Sequence, residues 1–246
     1  MNKLSLIAAA GLVAVAVSSA NAVVVFSDSF GYATGPIVGA TGSPWLTASG
    51  TALQVDVGAG VVNLTTVESE DVGAPLTGGP FTTGTLYASA IINLSALPTG
   101  TTYFLHFGGT AVDTNFRGRV HATITGAAVG SFRFGIGDTT STIVSIPTDL
   151  SLNTNYNVVV AQDTATGRST LYLNPNSEIG GTVATDTTSA IVAGIGGIRL
   201  RQSAGIGILT IDDLVVGTTF ADVVIPEPTT LGLIAAGSVL ALRRRK

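Results

Sequence analysis

Apolar residues in the middle of the chain recur at every second position, which is the spacing of strands rather than of helices. The stretches that show this alternation most clearly are 86–94, 131–137 and 168–173. In the first, apolar side chains from Leu86 to Leu94 alternate with polar ones at Ser89 and Asn93. Since neighbouring side chains of a strand point to opposite faces, the pattern predicts strands with one buried face.

Clusters of glycine, proline and asparagine, such as Gly78-Gly79-Pro80, separate these stretches and are typical of turns. The strands predicted in this way lie near 23–26, 53–57, 61–64, 86–94, 102–107, 117–125, 131–137, 143–146, 156–162, 168–173, 196–201 and 207–217. Residues 27–52 contain Pro36 and Pro44, and we expect a loop-rich lead-in there. So many short strands favour an all-β fold, a two-sheet antiparallel jelly-roll sandwich.

The N-terminal segment has the pattern of a secretory signal peptide. It combines Lys3 with an apolar stretch and with Ala20-Asn21-Ala22, which matches an A-x-A cleavage site. The apolar stretch is shorter than the ~20 residues that a membrane span needs. We therefore expect a helical signal at 1–22 that signal peptidase removes after Ala22.

The C-terminal segment has three consecutive parts: Pro226, Glu227 and Pro228, then the apolar residues 229–242, then the basic end Arg243, Arg244, Arg245 and Lys246. At ~1.5 Å per residue the apolar part forms a helix of only ~21 Å, against a hydrocarbon core of ~30 Å. We expect it to insert transiently into the inner membrane, with the basic end on the cytoplasmic side.

Together these three parts, over residues 225–246, resemble the PEP-CTERM sorting tail of Gram-negative bacteria that make exopolysaccharide. The resemblance implies processing by an exosortase, a membrane protease-transpeptidase. It also implies export to the cell surface, the outer envelope or the extracellular space.

Four stretches of the middle resemble PEP-CTERM domains of the laminin-G/concanavalin A-like type. They are DSFGYATG at 28–35, TLYAS at 85–89, TATGRSTLY at 164–172 and IDDLVVG at 211–217. The resemblance implies a concanavalin A-like jelly roll and no particular activity. We therefore divide the chain into a signal peptide at 1–22, a β-sandwich domain at 23–222 and a sorting tail at 223–246.

The distribution of charge limits the classes of partner. Residues 23–228 hold six arginines, no lysine and all fifteen acidic residues of the chain. Nucleic acid and anionic lipid are bound through basic footprints, so we expect no nucleic-acid binding. The absence of cysteine excludes disulfides, thiol catalysis and zinc–thiolate sites.

No pattern of catalytic residues stands out. A retaining glycosidase needs two carboxylates ~5–5.5 Å apart. The close acidic cluster at 68–71 has the wrong spacing, and we interpret it as a solvated loop edge followed by a loop at 72–75. The sequence has no G-x-S-x-G motif whose serine His106 or His121 could activate. We expect His106 to be a hydrogen-bonded sheet residue. We therefore expect a protein that is not an enzyme.

Asp212 and Asp213 interrupt an apolar run from Ile206 to Val216. Since neighbours in a strand point to opposite faces, one carboxylate should point inward, where it needs a cation or hydrogen-bond donors. One hypothesis is a structural Ca²⁺ held by Asp212 or Asp213 together with Asp28. The alternative is an arginine partner or backbone N–H donors.

Five of the six arginines in the middle lie in strand-like stretches. Arg117 and Arg119 share one strand face with His121. Arg133 lies on a neighbouring strand, and Arg199 and Arg201 lie on a third. Guanidinium groups pair well with carboxylates and sulfates. One hypothesis is a sheet face that binds acidic extracellular polysaccharide; the alternative is ordinary solvated strand faces neutralised by aspartates.

Trp45 and Tyr32 are the aromatic candidates for stacking on a sugar, although a tryptophan next to Pro44 is more typical of a plug over the sandwich edge. Taken together, the sequence predicts an exported surface or matrix protein with a structural or adhesive role in the envelope or biofilm. Two alternatives stay open: a carbohydrate-binding module that recognises an exopolysaccharide, and a divergent glycoside hydrolase.

Overall fold

The computed structural model describes residues 23–138, 142–187 and 194–224. The expected signal peptide, with its cleavage residues Ala20 and Ala22, lies outside the described residues. So do the sorting motif at 226–228, the apolar segment 229–242 and the arginines at 243–245.

The described part of the chain contains sixteen strands and one short helix. They are β1 (Val24–Asp28), β2 (Gly35–Pro36), β3 (Leu46–Ser49), β4 (Asp56–Gly58), β5 (Val61–Thr65), β6 (Asp71–Pro75), β7 (Thr85–Ala96), β8 (Thr102–Gly108), β9 (Arg117–Thr123), β10 (Arg133–Gly137), β11 (Val144–Ser145), β12 (Asn155–Asp163), β13 (Ser169–Leu173), β14 (Thr182–Asp186), β15 (Gly197–Arg201), β16 (Ile208–Gly217) and α1 (Phe220–Val223).

The strands form two antiparallel sheets that pack face to face. A nine-stranded sheet runs β14-β13-β12-β7-β16-β5-β4-β2, with β1 also paired to β16. A seven-stranded sheet runs β11-β10-β9-β8-β15-β6-β3. Strands distant in sequence are neighbours in both sheets, for example β7 with β16 and β8 with β15. This all-β, two-sheet jelly-roll sandwich confirms the predicted fold class.

The apolar side chains of the alternating pattern fill the space between the two sheets. On β7 the apolar residues Leu86, Ala88, Ala90, Ile92 and Leu94 are all at most 2% exposed. The seven-stranded sheet contributes phenylalanine rings to the same space: Phe104 of β8 lies 6.0 Å from Phe134 of β10, and Phe134 packs edge to face with Phe132. Burying such side chains contributes ~1.5–3 kcal/mol each, which lets the sandwich fold without disulfides.

Every predicted strand is present, with shifted ends, but four short strands were not predicted: β2, β3, β6 and β14. The lead-in is therefore less loop-like than expected, because β3 pairs with β6. The segment 72–75, predicted as a loop, is a strand. Gly73 had suggested a turn, whereas a Cβ there would lie 1.9 Å from the carbonyl oxygen of Ala111, so the glycine serves a close approach of two segments.

The helix α1 packs on the outer face of the nine-stranded sheet. The ring of Phe220 lies 5.8 Å from that of Tyr87 and 5.2 Å from that of Tyr172. The last described residues therefore lie against the side of the sandwich that faces away from the seven-stranded sheet. Within the described ranges, no helix combines the length and apolar character required to traverse a bilayer.

Candidate functional site

The outer face of the seven-stranded sheet gathers basic and aromatic side chains at its centre. They come from three adjacent strands: Tyr103 and His106 from β8, Arg117, Arg119 and His121 from β9, and Arg199 and Arg201 from β15. Their alternating neighbours, such as Val120 and Leu200, are core residues. We call Tyr103, Arg117, Arg119 and Arg201 the arginine face.

Tyr103 is flanked by two guanidinium groups. The Cζ atom of Arg119 lies 5.1 Å from the centre of its ring, and that of Arg201 lies 4.4 Å from it. Such cation–π contacts stabilise by ~0.5–1 kcal/mol at exposed sites and more when they are desolvated. The aromatic ring therefore holds two positive charges close together on the sheet surface.

Two of the sequence-predicted arginines are already engaged by acids. Arg133 Nε donates to Asp149 Oδ1 at 2.6 Å. Arg199 is 2% exposed and pairs with Asp113. Both therefore have a structural role, and Arg133 is a poorer candidate for glycan binding than the sequence suggested.

Arg117 and Arg119 are less engaged. Arg117 donates one N–H to the carbonyl oxygen of Phe116 at 2.7 Å. Neither arginine forms an ion pair with a carboxylate in the described part of the chain, and the Nε atoms of both are buried without a partner there. Arg201 Nε lies 3.7 Å from Asp71 Oδ2, so the positive charge of Arg201 is partly compensated. The arginine face thus carries a local excess of positive charge.

Two buried histidines pack against Tyr103 of this face. The rings of His106 and His121 meet that of Tyr103 edge-on at 5.4 Å and 5.6 Å. His106 Nδ1 donates to the carbonyl oxygen of Phe107, as a hydrogen-bonded sheet residue should. Burial, helped by nearby arginines, lowers the pKa of each histidine to about 3. The structure places His121 beside Tyr103, and its predicted role in glycan binding stays a prediction.

The loop 109–116 lies next to the arginine face, since the ring of Phe116 is 6.2 Å from that of Tyr103. Arg199 donates to the carbonyl oxygens of Thr110 and Asp113, which fixes the loop to β15. At the end of the loop, the ring of Phe116 packs 5.0 Å from that of His106. The absence of a side chain at Gly73 lets the loop backbone approach the sheet.

The acidic cluster at 68–71 is not a solvated loop edge. Glu70 is fully buried, and its Oε2 accepts from the backbone N–H groups of Gln54 and Val55 at 2.7 and 2.8 Å. Its Oε1 accepts from the Thr47 hydroxyl at 2.6 Å. Asp71 opens β6. The sequence interpretation failed because it treated all four polar residues of this cluster as exposed, whereas Glu70 points inward and binds a neighbouring loop.

The proposed calcium ligands lie on the other sheet, Asp28 in β1 and both Asp212 and Asp213 in β16. Asp28 Oδ2 accepts from the Trp45 Nε1–H and from the Tyr32 hydroxyl, both at 2.7 Å. Trp45 is 1% exposed, so it is a core residue and offers no stacking surface. Asp28 thus already has the hydrogen-bond donors that a partly buried carboxylate needs.

The expectation that Asp212 or Asp213 points inward is wrong. The pairing of β16 with β7 is irregular between Asp212 and Val215, and Asp213 has φ of 48°. This bulge turns both carboxylates away from the core, Asp213 being exposed. Asp28 and Asp213 line one open depression of about 540 Å³. Among the described residues, no group of three or more acidic or histidine side chains is arranged to hold a metal ion, and calcium stays a prediction.

Comparison with protein families matches residues 224–246 to the PEP-CTERM protein-sorting motif. The chain carries a PEP-CTERM sorting motif. The matched region begins at Val224, directly after α1. The motif identifies an exported, cell-envelope-associated protein that is sorted by an exosortase, as the resemblance implied. No curated protein matches the chain in sequence.

Solved structures show similar sandwiches. A sialidase matches with a TM-score of 0.51 and 15% identity over 79% of this chain and 19% of its own. The CBM2 module of the evolved Dit of Lactobacillus casei BL23 phage J-1 has a TM-score of 0.49 and 13% identity over 80% of this chain and 96% of its own. The Emp47p carbohydrate recognition domain has a TM-score of 0.45 and 10% identity over 78% of this chain and 96% of its own.

At such low identity the similarity concerns the fold alone, and the sialidase match supports the jelly-roll sandwich. This chain spans about a fifth of that sialidase, 19% of its length. The comparison therefore assigns no catalytic activity to the chain.

Proposed function

We propose that this exported protein is an adhesive component of the cell envelope that binds an acidic polysaccharide on the arginine face. The observation that carries the proposal is Tyr103 held between Arg119 and Arg201. Arg117 and Arg119 add positive charge that no described carboxylate neutralises. This cluster stands out in a chain whose formal net charge is −4.

The chemistry of the arginine face suits uronate or sulfated sugars. A guanidinium group presents a planar fork of donors that matches the two oxygens of a carboxylate or sulfate. The exposed part of an aromatic ring offers a surface on which the apolar side of a sugar can pack. Several charged residues of a polysaccharide could then engage neighbouring guanidinium groups at once, which raises the overall affinity.

The position of the sorting motif supports an adhesive role. The motif follows α1, and α1 packs on the outer face of the nine-stranded sheet through Phe220. The arginine face lies on the outer face of the other sheet. A domain held to the envelope through its C-terminal end would therefore present the arginine face on the opposite side, towards the matrix.

Binding is proposed in preference to hydrolysis because the acids considered for catalysis have other partners. Glu70 accepts three hydrogen bonds inside the fold. Asp71 accepts a hydrogen bond from Ser49 and lies near Arg201. In the described part of the chain, these contacts give both carboxylates a role in holding the fold together.

The test is retention of the protein on immobilised alginate and heparin. We expect the double variant Arg117→Ala/Arg119→Ala to lose retention at physiological salt. The matched control is Arg133→Ala/Arg168→Ala, which removes the same charge but takes one arginine from an ion pair with Asp149 and one from an exposed turn. Equal losses in the two double variants would show that only net charge matters and would overturn the assignment, as would full retention in both.

A further inference from the structure

The expected first residue of the mature chain lies next to a carboxylate. Removal of the signal peptide after Ala22 leaves Val23 as the N-terminus. The backbone nitrogen of Val23 donates to Asp222 Oδ2 at 3.1 Å, although 199 positions separate the two residues. The Val23 carbonyl oxygen accepts from the Thr218 N–H at 3.1 Å, which holds the residue in register with the end of β16.

Hydrogen bonding and close packing fix the position of the Asp222 side chain. Its Oδ2 also accepts from the Thr219 N–H at 2.9 Å, at the start of α1. A Cβ atom at Gly217 would lie 2.5 Å from the Cβ of Asp222, so only glycine permits this packing. On the other side of α1, Phe220 packs against the rings of Tyr87 and Tyr172.

We propose that signal-peptide removal converts the Val23–Asp222 hydrogen bond into an ion pair that fixes the base of the sorting tail. Hydrolysis consumes one water: the Ala22–Val23 peptide bond breaks, the hydroxyl goes to the Ala22 carbonyl carbon, and a hydrogen goes to the Val23 nitrogen. Near neutral pH the new amine takes up a proton. A neutral N–H donor is thereby replaced by an ammonium group at the same place.

The surroundings favour this pairing. The strand β16, which pairs with β1, ends at Gly217, and Thr218 follows it beside Val23; neither residue is titratable. The strand β7 contributes Tyr87, whose hydroxyl donates to Glu178. Asp222 is the charged group that α1 presents to the N-terminus. Charge-assisted hydrogen bonds are about twice as strong as neutral ones, although screening weakens this one because Val23 is 47% exposed.

The consequence is a coupling between the two ends of the chain. The matched sorting motif begins at Val224, whose N–H donates to the carbonyl oxygen of Phe220 at 3.3 Å. Once the signal is removed, the ion pair holds α1 against the sheet more firmly. Maturation at the N-terminus would thus order the segment that leads into the tail read by the exosortase.

The first measurement is made on the mature, exported full chain. Intact-mass and N-terminal sequencing should show Val23 first. The two lysines of the sequence are Lys3, which leaves with the signal, and Lys246, so reductive ¹³C-methylation labels few amines. An NMR titration should place the α-amine pKa at least about half a unit above its ordinary ~7.7–8.0, and Asp222→Asn should return it to that range.

Two further variants separate the ion pair from the hydrogen bond to Thr219. Inserting Gly-Ser between Ala22 and Val23 moves the ammonium away but keeps Asp222, and should lower hydrogen-exchange protection of the Val224 amide several-fold. Asp213→Asn removes an exposed carboxylate elsewhere and should change neither readout. A mature N-terminus at another residue, an ordinary α-amine pKa, or unchanged protection after the insertion would each overturn the proposal.

Discussion

Truncating Glu70 tests how the fold holds its lead-in. The side chain is fully buried and accepts hydrogen bonds from the backbone N–H groups of Gln54 and Val55 and from the Thr47 hydroxyl. Glu70→Ala would leave these donors without an acceptor. A buried donor left unsatisfied costs about 1–3 kcal/mol, so we expect a loss of about 4 kcal/mol in the free energy of unfolding.

Two further variants serve as controls for Glu70→Ala. Glu68→Ala removes the same kind of side chain two positions away, where one hydroxyl donates to it at 3.2 Å, and should cost less than about 1 kcal/mol. Glu70→Gln keeps one oxygen as an acceptor for the two backbone N–H groups, while its amide can donate to the Thr47 hydroxyl. It should therefore fall between the two alanine variants.

The assay is urea unfolding followed by the fluorescence of Trp45, the single tryptophan of the chain and a buried one. For a domain of this size, a loss of about 4 kcal/mol corresponds to a melting temperature lower by about 10 °C. If Glu70→Ala and Glu68→Ala differed by less than about 1 kcal/mol, the reasoning that Glu70 ties the lead-in to β6 would be refuted.

Three other outcomes are expected. Tyr103→Ala should weaken retention on alginate as much as Arg119→Ala, because the ring positions the guanidinium groups. Tyr103→Phe should retain binding. Equal losses of retention in both Tyr103 variants, measured by salt elution, would contradict this. His106 and His121 have pKa values lowered from 6.5 to about 3, so below pH 6.5 the unfolded chain binds protons that the folded chain does not. Stability should therefore fall between pH 6.5 and pH 5 by ~2 kcal/mol per histidine, and urea unfolding that is flat over this range would refute the burial argument. Gly73→Ala should displace the loop 109–116 and weaken alginate retention, and unchanged loop protection in hydrogen exchange would count against that account.

The sequence predicted those parts of the fold that local alternation determines. The apolar face of β7 from Leu86 to Leu94 is buried as expected. Strand β6 was missed because Gly73 and Pro75 resemble turn residues when the segment packed above them is unknown. Asp213 was assigned to a regular strand because a bulge changes which face a side chain occupies and leaves little trace in the sequence.

The candidate site was only partly predictable. Period two placed Arg117 and Arg119 on one face of β9, and the structure retains both there. It did not reveal that β8 lies between β9 and β15, which brings Tyr103 between Arg119 and Arg201. The signal that could have pointed to Tyr103 is its hydroxyl, a polar group within the largely apolar run 102–107. Which arginines are neutralised depends on aspartates from distant loops, and no local pattern contains that information.

The central claim, that an acidic polysaccharide binds the arginine face, is tested most directly by NMR of the arginine side chains. The mature ¹⁵N-labelled protein is titrated with an alginate oligosaccharide, and the Nε–H signals are followed. Saturable shifts of Arg119 and Arg201, with Arg168 unchanged, are predicted. Shifts spread evenly over all arginines, or no shifts at concentrations that saturate the immobilised glycan, would contradict the account.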